Sequence, residues 1–319
     1  MSRSYGINQL GAMYPFKFKS VRKTPIWGSE EWLVSAIKGS ESKVMNGEYA
    51  GRTLPSLIVE YGVDIVGKQV FDRFGDQFPL LIKFIKANDD LSIQVHPNDL
   101  LAQQRHGCMG KNEMWYVLGA GGGAKLLSGF KKEITKDEYI AGVENNTIVQ
   151  VLNNCKVQPG DVFFLPAGRV HAIGGGCFIL EVQQSSDITY RIYDYGRRDI
   201  AGNGRELHTE LAVDAIDYSV VQQPCGRVGV VEPGDLVRCN YFCVNELCVN
   251  GALDFNYAAL DSFVVLVSIE GGGFVKWQDK ATAGSGYNSL TLDNMECVFL
   301  PASLGHVVLE GNMRIVAAR

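Results

Sequence analysis

Short runs in which apolar and polar residues alternate dominate this chain. Residues 91–96, 114–118, 147–152, 161–165 and 178–184 all show the two-residue period of half-buried strands, with glycine and proline between them. Gln158-Pro159-Gly160-Asp161 is a turn signal set directly before an apolar run. The 3.6-residue period is rarer. Residues 206–218 carry it best, with Leu207, Leu211 and Ile216 spaced for one face. Residues 99–105, with Asn98 or Asp99 as a cap, and residues 136–141 carry it more weakly. The pattern predicts a mostly β protein with a few short helices.

An internal repeat organises these strands. Gly160-Asp161-Val-Phe-Phe-Leu-Pro166-Ala-Gly-Arg-Val-His171 recurs as Asn294-Met-Glu-Cys-Val-Phe-Leu-Pro301-Ala-Ser-Leu-Gly-His306, with the histidine five residues after the proline both times. Upstream, Trp115 to Leu118 followed by Gly121-Gly122-Gly123 pairs with Val265 to Ser268 followed by Gly271-Gly272-Gly273. Two similar antiparallel barrels follow, joined in a stretch rich in proline and glycine at 220–233. The expected domains are 1–220, with an N-terminal extension and helical segments, and 221–319. Both copies resemble the cupin superfamily, which implies two jelly-roll barrels.

Composition narrows the chemistry. The net charge of −5 argues against a nucleic-acid partner but leaves room for a phosphorylated small molecule, which needs only a few local cations. The first residues lack the apolar core of a signal peptide, and no stretch approaches a membrane span, so a cytoplasmic protein with no membrane partner is expected. Eight scattered cysteines form no CxxC pair, and in a reducing compartment they read as buried small residues rather than disulfides.

Strand geometry gathers a metal constellation. Residues i and i+2 share a face, so Ser92, Gln94 and His96 point one way, and Lys111 and Glu113 share a face on the next strand. With His171, these offer two imidazoles and a carboxylate, a set suited to a borderline divalent ion such as zinc, with open positions for water or substrate. Gln94 could add a carbonyl oxygen. In the second copy, alignment on the glycine triplets sets Phe263 opposite Glu113, and no histidine-bearing strand precedes it. His306 is then structural, and one metal per chain is expected.

The block Leu91-Ser-Ile-Gln94-Val-His96-Pro97-Asn-Asp99, with Lys111-Asn-Glu113, Pro166-Ala-Gly-Arg-Val-His171-Ala and Glu181-Val-Gln-Gln-Ser-Ser-Asp187-Ile-Thr-Tyr-Arg191, is similar to type I mannose-6-phosphate isomerases in their short bacterial form. The resemblance implies a zinc enzyme interconverting mannose 6-phosphate and fructose 6-phosphate. It implies Gln94, His96, Glu113 and His171 as zinc ligands, and Ser92, Lys111 and Arg191 as contacts to the sugar phosphate. Short forms lack the large helical insertion of fungal relatives, so they must enclose substrate differently. Isomerisation through an enediolate needs a base and an electrophile. Glu181 is the first candidate base, with Lys111 and Arg191 beside it in the catalytic set and a zinc-bound water as the rival base. Two other classes fit part of the pattern: a non-haem iron oxygenase, through its two-histidine, one-carboxylate site, and a catalytically silent sugar-phosphate-binding cupin. Nothing in the sequence fixes the oligomeric state.

Overall fold

A computed structural model describes residues 13–198, 202–222, 225, 234–278 and 286–319. The N-terminal residues 1–12 and most of the expected linker at 220–233 lie outside them. The protein is mostly β, built from antiparallel sheets. Among the described residues, no helix is long and apolar enough to cross a membrane.

Two compact units make up the chain, and neither is one continuous segment. One comprises 20–42 and 79–243; the other comprises 1–19, 43–78 and 244–319. A repeat-based boundary at 220 therefore differs from this division, because the segment 43–78 groups with the C-terminal residues. That segment carries three helices, Leu54–Tyr61, Val63–Val66 and Lys68–Phe74, which hydrophobic periodicity does not reveal. Each is too short for a clear stripe, and Gly62, Gly67 and Gly75 break the series at positive φ. The first is started by Thr53, whose hydroxyl accepts from the Ser56 N–H at 3.3 Å.

The unit of 20–42 and 79–243 is a barrel of two sheets. The first orders Val162–Leu165, Glu113–Ala120, Cys177–Gln184, Leu80–Ala87, Gly28–Val34 and Val21–Lys23 side by side. The second orders Tyr190–Tyr193, Ile93–Val95, His171–Ile173, Lys125–Phe130 and Leu152–Lys156. Alternation decides what each face meets. Ile93 and Val95 turn outward into a cluster with Phe130, Tyr139, Tyr190, Ala212 and Ile216. Gln94 and its neighbours Ser92 and His96 are thereby left facing the interior, as their spacing predicts. Inside, Trp115, Val117, Leu126, Phe163, Leu165 and Ile173 fill the barrel beyond the polar site.

Several local expectations are corrected. Residues 148–151 form a 3₁₀ turn, and the strand follows as Leu152–Lys156. The helix expected at 206–218 spans Thr209–Ala215, and it buries Ala212 and the following Ile216 while Leu207 and Leu211 stay exposed. The helices expected at 99–105 and 136–141 are present as Asp99–His106, capped by Asn98, and Lys136–Glu144, the second three residues longer than its pattern. Cysteine chemistry differs most. Cys155 and Cys225 are bonded across a separation of 70 residues, with Cα atoms 5.6 Å apart. Scattered spacing cannot show that two distant cysteines meet. In the chain-entropy view a loop of that length is worth about 4 kcal/mol, and measured values often fall lower. Cys225→Ser should lower the melting midpoint by roughly 5–10 °C. Thermal melts of wild type with and without reductant check it; an unmoved wild-type midpoint would show that the bond carries no stability.

The other unit centres on long strands. Cys243–Asn256, His306–Ala318, Val264–Trp277 and Asn288–Leu292 lie side by side, and Cys297–Leu300 pairs with Val264–Trp277. The triplet Gly271–Gly273, which the repeat aligns with Gly121–Gly123, runs inside the strand Val264–Trp277. There the neighbouring strand crosses closely, so that a Cβ on Gly273 would lie 2.1 Å from the Glu310 carbonyl oxygen. Register also shifts the internal comparison by one residue. Glu113 pairs with Leu165, whereas it is Val264 that pairs with the matching Leu300. Val264 and Phe263 are both buried and apolar, with Phe263 stacked on Phe299 at 5.4 Å.

Candidate metal centre and sugar-phosphate cavity

The two sheets of the first barrel each contribute one row of inward residues. On the five-stranded sheet, Arg191 pairs with Gln94, Gln94 with His171, and His171 with Ser128. Directly opposed residues share a face, so Arg191 and His171 look into the same interior about 10 Å apart, two strand spacings. On the six-stranded sheet, Trp32 pairs with Lys83, Lys83 with Glu181 and Glu181 with Trp115. Glu113 lies two residues before Trp115, on the same inner face.

His96, Glu113 and His171 converge. All three are buried, and their ligand atoms lie within 4.8 Å of one another. His171 Nε2 is 3.1 Å from Glu113 Oε1, and His96 Nε2 is 3.4 Å from Glu113 Oε2. Donor atoms about 2 Å from one tetrahedral ion stand about 3.3 Å apart, so the spacing is that of a coordination shell. The outer nitrogens fix the tautomers. His96 Nδ1 faces the Ile188 carbonyl at 2.9 Å, and His171 Nδ1 faces the Arg169 carbonyl at 2.9 Å. A proton donated there leaves each Nε2 lone pair turned inward. Burial and Lys111 push His96 down to about 3, and burial lowers His171 too, so both imidazoles are neutral at pH 7. Burial alone would raise Glu113, but Lys111 and the two histidines hold it well below the usual carboxylate range. Both its oxygens are buried, and Oε2 has the Lys111 ammonium 2.8 Å away. A buried carboxylate set between two inward imidazole lone pairs fits a divalent cation.

Gln94 stands beside this cluster, with its amide nitrogen 3.2 Å from His171 Nε2. Rotating the amide would offer the carbonyl oxygen to the same point. Lys111 reaches into the cluster as well, with Nζ 2.8 Å from Glu113 Oε2 and 3.0 Å from His96 Nε2.

A cavity of about 290 Å³ opens beside these residues. Ser92, Gln94, Lys111, Glu181 and Arg191, all singled out from the sequence, line it. Glu30, Lys83, Asp187, Thr189 and Arg205 line it too and were not singled out. The run Leu80–Ala87 is too uniformly apolar for alternation to single out Lys83, which its pairing with Glu181 places on the inner face. Glu181 accepts from Trp115 Nε1 at 2.7 Å and pairs with Lys83 at 3.0 Å. Burial and the Glu113 carboxylate push its carboxyl up, against the pull of Lys83 and Lys111. Burial also works to raise Glu30, but Lys83 and the Trp32 N–H, 2.6 Å away, bring it below its usual range. Arg197 is ion-paired with Asp194.

Among the described residues, His306 of the other unit belongs to no second cluster of metal-ligating groups. Its Nε2 lies 2.6 Å from Asp254 Oδ1, and it is 40% exposed. His306→Ala should leave metal content and turnover within about twofold of wild type, the range of a lost surface pair. A large loss of turnover in a folded variant would assign the C-terminal unit a chemical role.

Comparisons with known proteins agree on one family. A model of the phosphomannose isomerase type I catalytic domain matches residues 16–119. The mannose-6-phosphate isomerase ManA of Bacillus subtilis is 34% identical, over 93% of this chain and 96% of its own. The mannose-6-phosphate isomerase of Streptococcus mutans is 32% identical, over 91% and 87%. The crystal structure of the Bacillus subtilis mannose 6-phosphate isomerase superposes with a TM-score of 0.83 at 30% identity, covering 96% of this chain and all of that one. With likeness of this degree along nearly its whole length, the chain belongs to the type I mannose-6-phosphate isomerase family.

Proposed function

We propose that this protein is a zinc-dependent aldose–ketose isomerase that interconverts mannose 6-phosphate and fructose 6-phosphate, with one ion per chain held by His96, Glu113 and His171 and with Gln94 as a further ligand. Its relatives bear that activity in their names. The observation that carries the reading is the pairing, on one barrel face, of a buried His/Glu/His cluster with Arg191 two strands away. A sugar phosphate laid along that face sets its carbonyl end at the cluster and its phosphate at the guanidinium.

The bound ion would supply Lewis acidity toward a carbonyl oxygen. The chain's own groups do the rest. Arg191 and Ser92 hold the phosphate end and so fix which carbons face the cluster. Lys111 lies at the reacting end, where an ammonium stabilises negative charge on the enediolate oxygens. Glu181 removes the proton from C2 of the aldose, giving the enediolate and a carboxylic acid; the O2 hydroxyl proton passes to O1, and Glu181 returns its own proton to C1 to give the ketose. A carboxyl raised by burial is closer in basicity to that task than an exposed one. Lys83 and Trp115 fix its orientation.

A coupled assay of fructose 6-phosphate formation from mannose 6-phosphate, on protein loaded with zinc, tests the proposal directly. Stoichiometric iron after aerobic purification together with no isomerase turnover would favour the oxygenase class. Tight substrate binding without turnover would leave a binding protein.

A further inference from the structure

Three hydrogen bonds dock residues 205–208 onto the strand Tyr190–Tyr193. The Arg191 N–H donates to His208 Nδ1 at 3.1 Å, the His208 N–H donates to the Arg191 carbonyl at 2.7 Å, and Arg191 Nη1 donates to the Glu206 carbonyl at 2.7 Å. Burial and the Arg191 charge keep His208 below its usual range, which leaves Nδ1 free to accept. This docking brings Arg205 to the wall of the same cavity that Arg191 lines.

Two guanidiniums therefore share one cavity, and neither is saturated. Arg191 Nε is buried without a hydrogen-bond partner. Arg205 is 30% exposed, and among the described residues its ion pair is with Asp194 Oδ1, at 3.4 Å, on an oxygen that Arg197 holds more closely. The carboxylates lining the cavity do not neutralise the two arginines. Glu30 and Glu181 are committed to Lys83 and to tryptophan N–H groups, which leaves Asp187. Burial together with the neighbouring Arg205 charge holds the Arg191 guanidinium below its ordinary range. Like charges pressed together in a half-buried cavity are relieved by a bound dianion.

We infer that Arg205 is a second phosphate-binding residue, which contacts the substrate's dianion from the loop side while Arg191 contacts it from the strand. The inference rests on the isomerase reading above. Each guanidinium presents a planar fork, so two of them can satisfy more oxygens of a phosphate than one and can discriminate it from a monoanionic or neutral group. The loop itself is held by Arg191, so binding at Arg191 and placement of Arg205 are one structural unit.

Steady-state kinetics on mannose 6-phosphate, with inorganic phosphate as a competitive inhibitor, test the assignment. Arg205→Gln should raise both KM and the phosphate inhibition constant by about 10-fold or more, the scale of a lost charge-assisted contact, while kcat stays within about threefold. Arg198→Gln is the control. Arg198 is exposed in the same loop, bonded to the Gly202 carbonyl and not part of the cavity wall. It removes the same charge, and both constants should stay within about twofold because solvent screens that distance. Equal rises in the two variants would mean a general field rather than a contact, and would overturn the assignment. So would unchanged constants in Arg205→Gln when wild type converts mannose 6-phosphate, and in that case the isomerase reading stands. Absence of wild-type turnover removes that reading and this inference with it. Should Arg205→Gln not fold, Arg205→Lys keeps the charge but loses the fork, and both constants should rise by about threefold; unchanged constants there overturn the inference.

Discussion

His171→Ala should lose most of the metal that wild type holds, and its turnover of mannose 6-phosphate should fall by ~10³-fold, equivalent to about 4 kcal/mol of lost charge stabilisation at the reacting carbonyl. The size follows from the geometry. His171 Nε2 is one of three inward donors, and its strand neighbour Gln94 cannot replace it, because an amide oxygen is a weaker donor for a borderline ion. Removing the imidazole also strands the Arg169 carbonyl, which receives the Nδ1 proton at 2.9 Å, so a modest loss of stability accompanies the loss of metal. His96→Ala should behave alike, through the Ile188 carbonyl. Glu113→Gln keeps the shape but removes the charge that the two imidazoles and Lys111 face, so metal weakens without vanishing. Elemental analysis of each variant, with circular dichroism to confirm the fold, makes the comparison. A folded His171→Ala that still carries one equivalent of metal would sink the ligand assignment.

The site was legible wherever a two-residue period could be read. Ser92, Gln94 and His96 face inward because Ile93 and Val95 between them are apolar enough to claim the outer face. Lys111 falls in with Glu113 by the same rule. Residues that depend on long-range register were hidden. Lys83 sits in an almost wholly apolar run, Leu80–Ala87, and only its pairing with Glu181 on the adjacent strand reveals it as part of the cavity wall. Glu30 comes from a strand some fifty residues earlier in the same sheet. Arg205 is carried by a loop whose docking depends on His208 and the Glu206 carbonyl, and no local pattern announces that. In the fold, the repeat pointed to two β units, but it carried no information on which unit the helices of 43–78 would join. The glycine triplet at 271–273 shows a further ambiguity, since a glycine required by a close strand crossing looks, in sequence, like one required by a turn.

In the proposed function, Arg191 is the residue that ties this site to substrate specificity. It lies two strands from His171 and on the same face, so a phosphate held there orients the far end of the sugar against the metal cluster without touching it. Arg191→Ala should lower kcat/KM for mannose 6-phosphate by ~10²-fold or more, about 3 kcal/mol, combining a lost charge-assisted contact with misplacement of the reacting carbons. Arg191→Lys should recover part of this, since an ammonium supplies the charge but not the fork. Metal content should stay full in both variants, because no ligand is touched. The variants also lose the Nη1 bond to the Glu206 carbonyl, so the fold and the loop's protection from proteolysis are checked alongside. The deciding measurement sets kcat/KM on mannose 6-phosphate against kcat/KM on unphosphorylated mannose. Wild type should strongly prefer the phosphate ester, and Arg191→Ala should erase that preference while leaving the slow rate on mannose nearly unchanged. Equal damage to both substrates would show that Arg191 supports the barrel rather than the phosphate, and equal wild-type rates on the two would remove the phosphate from the proposed function altogether.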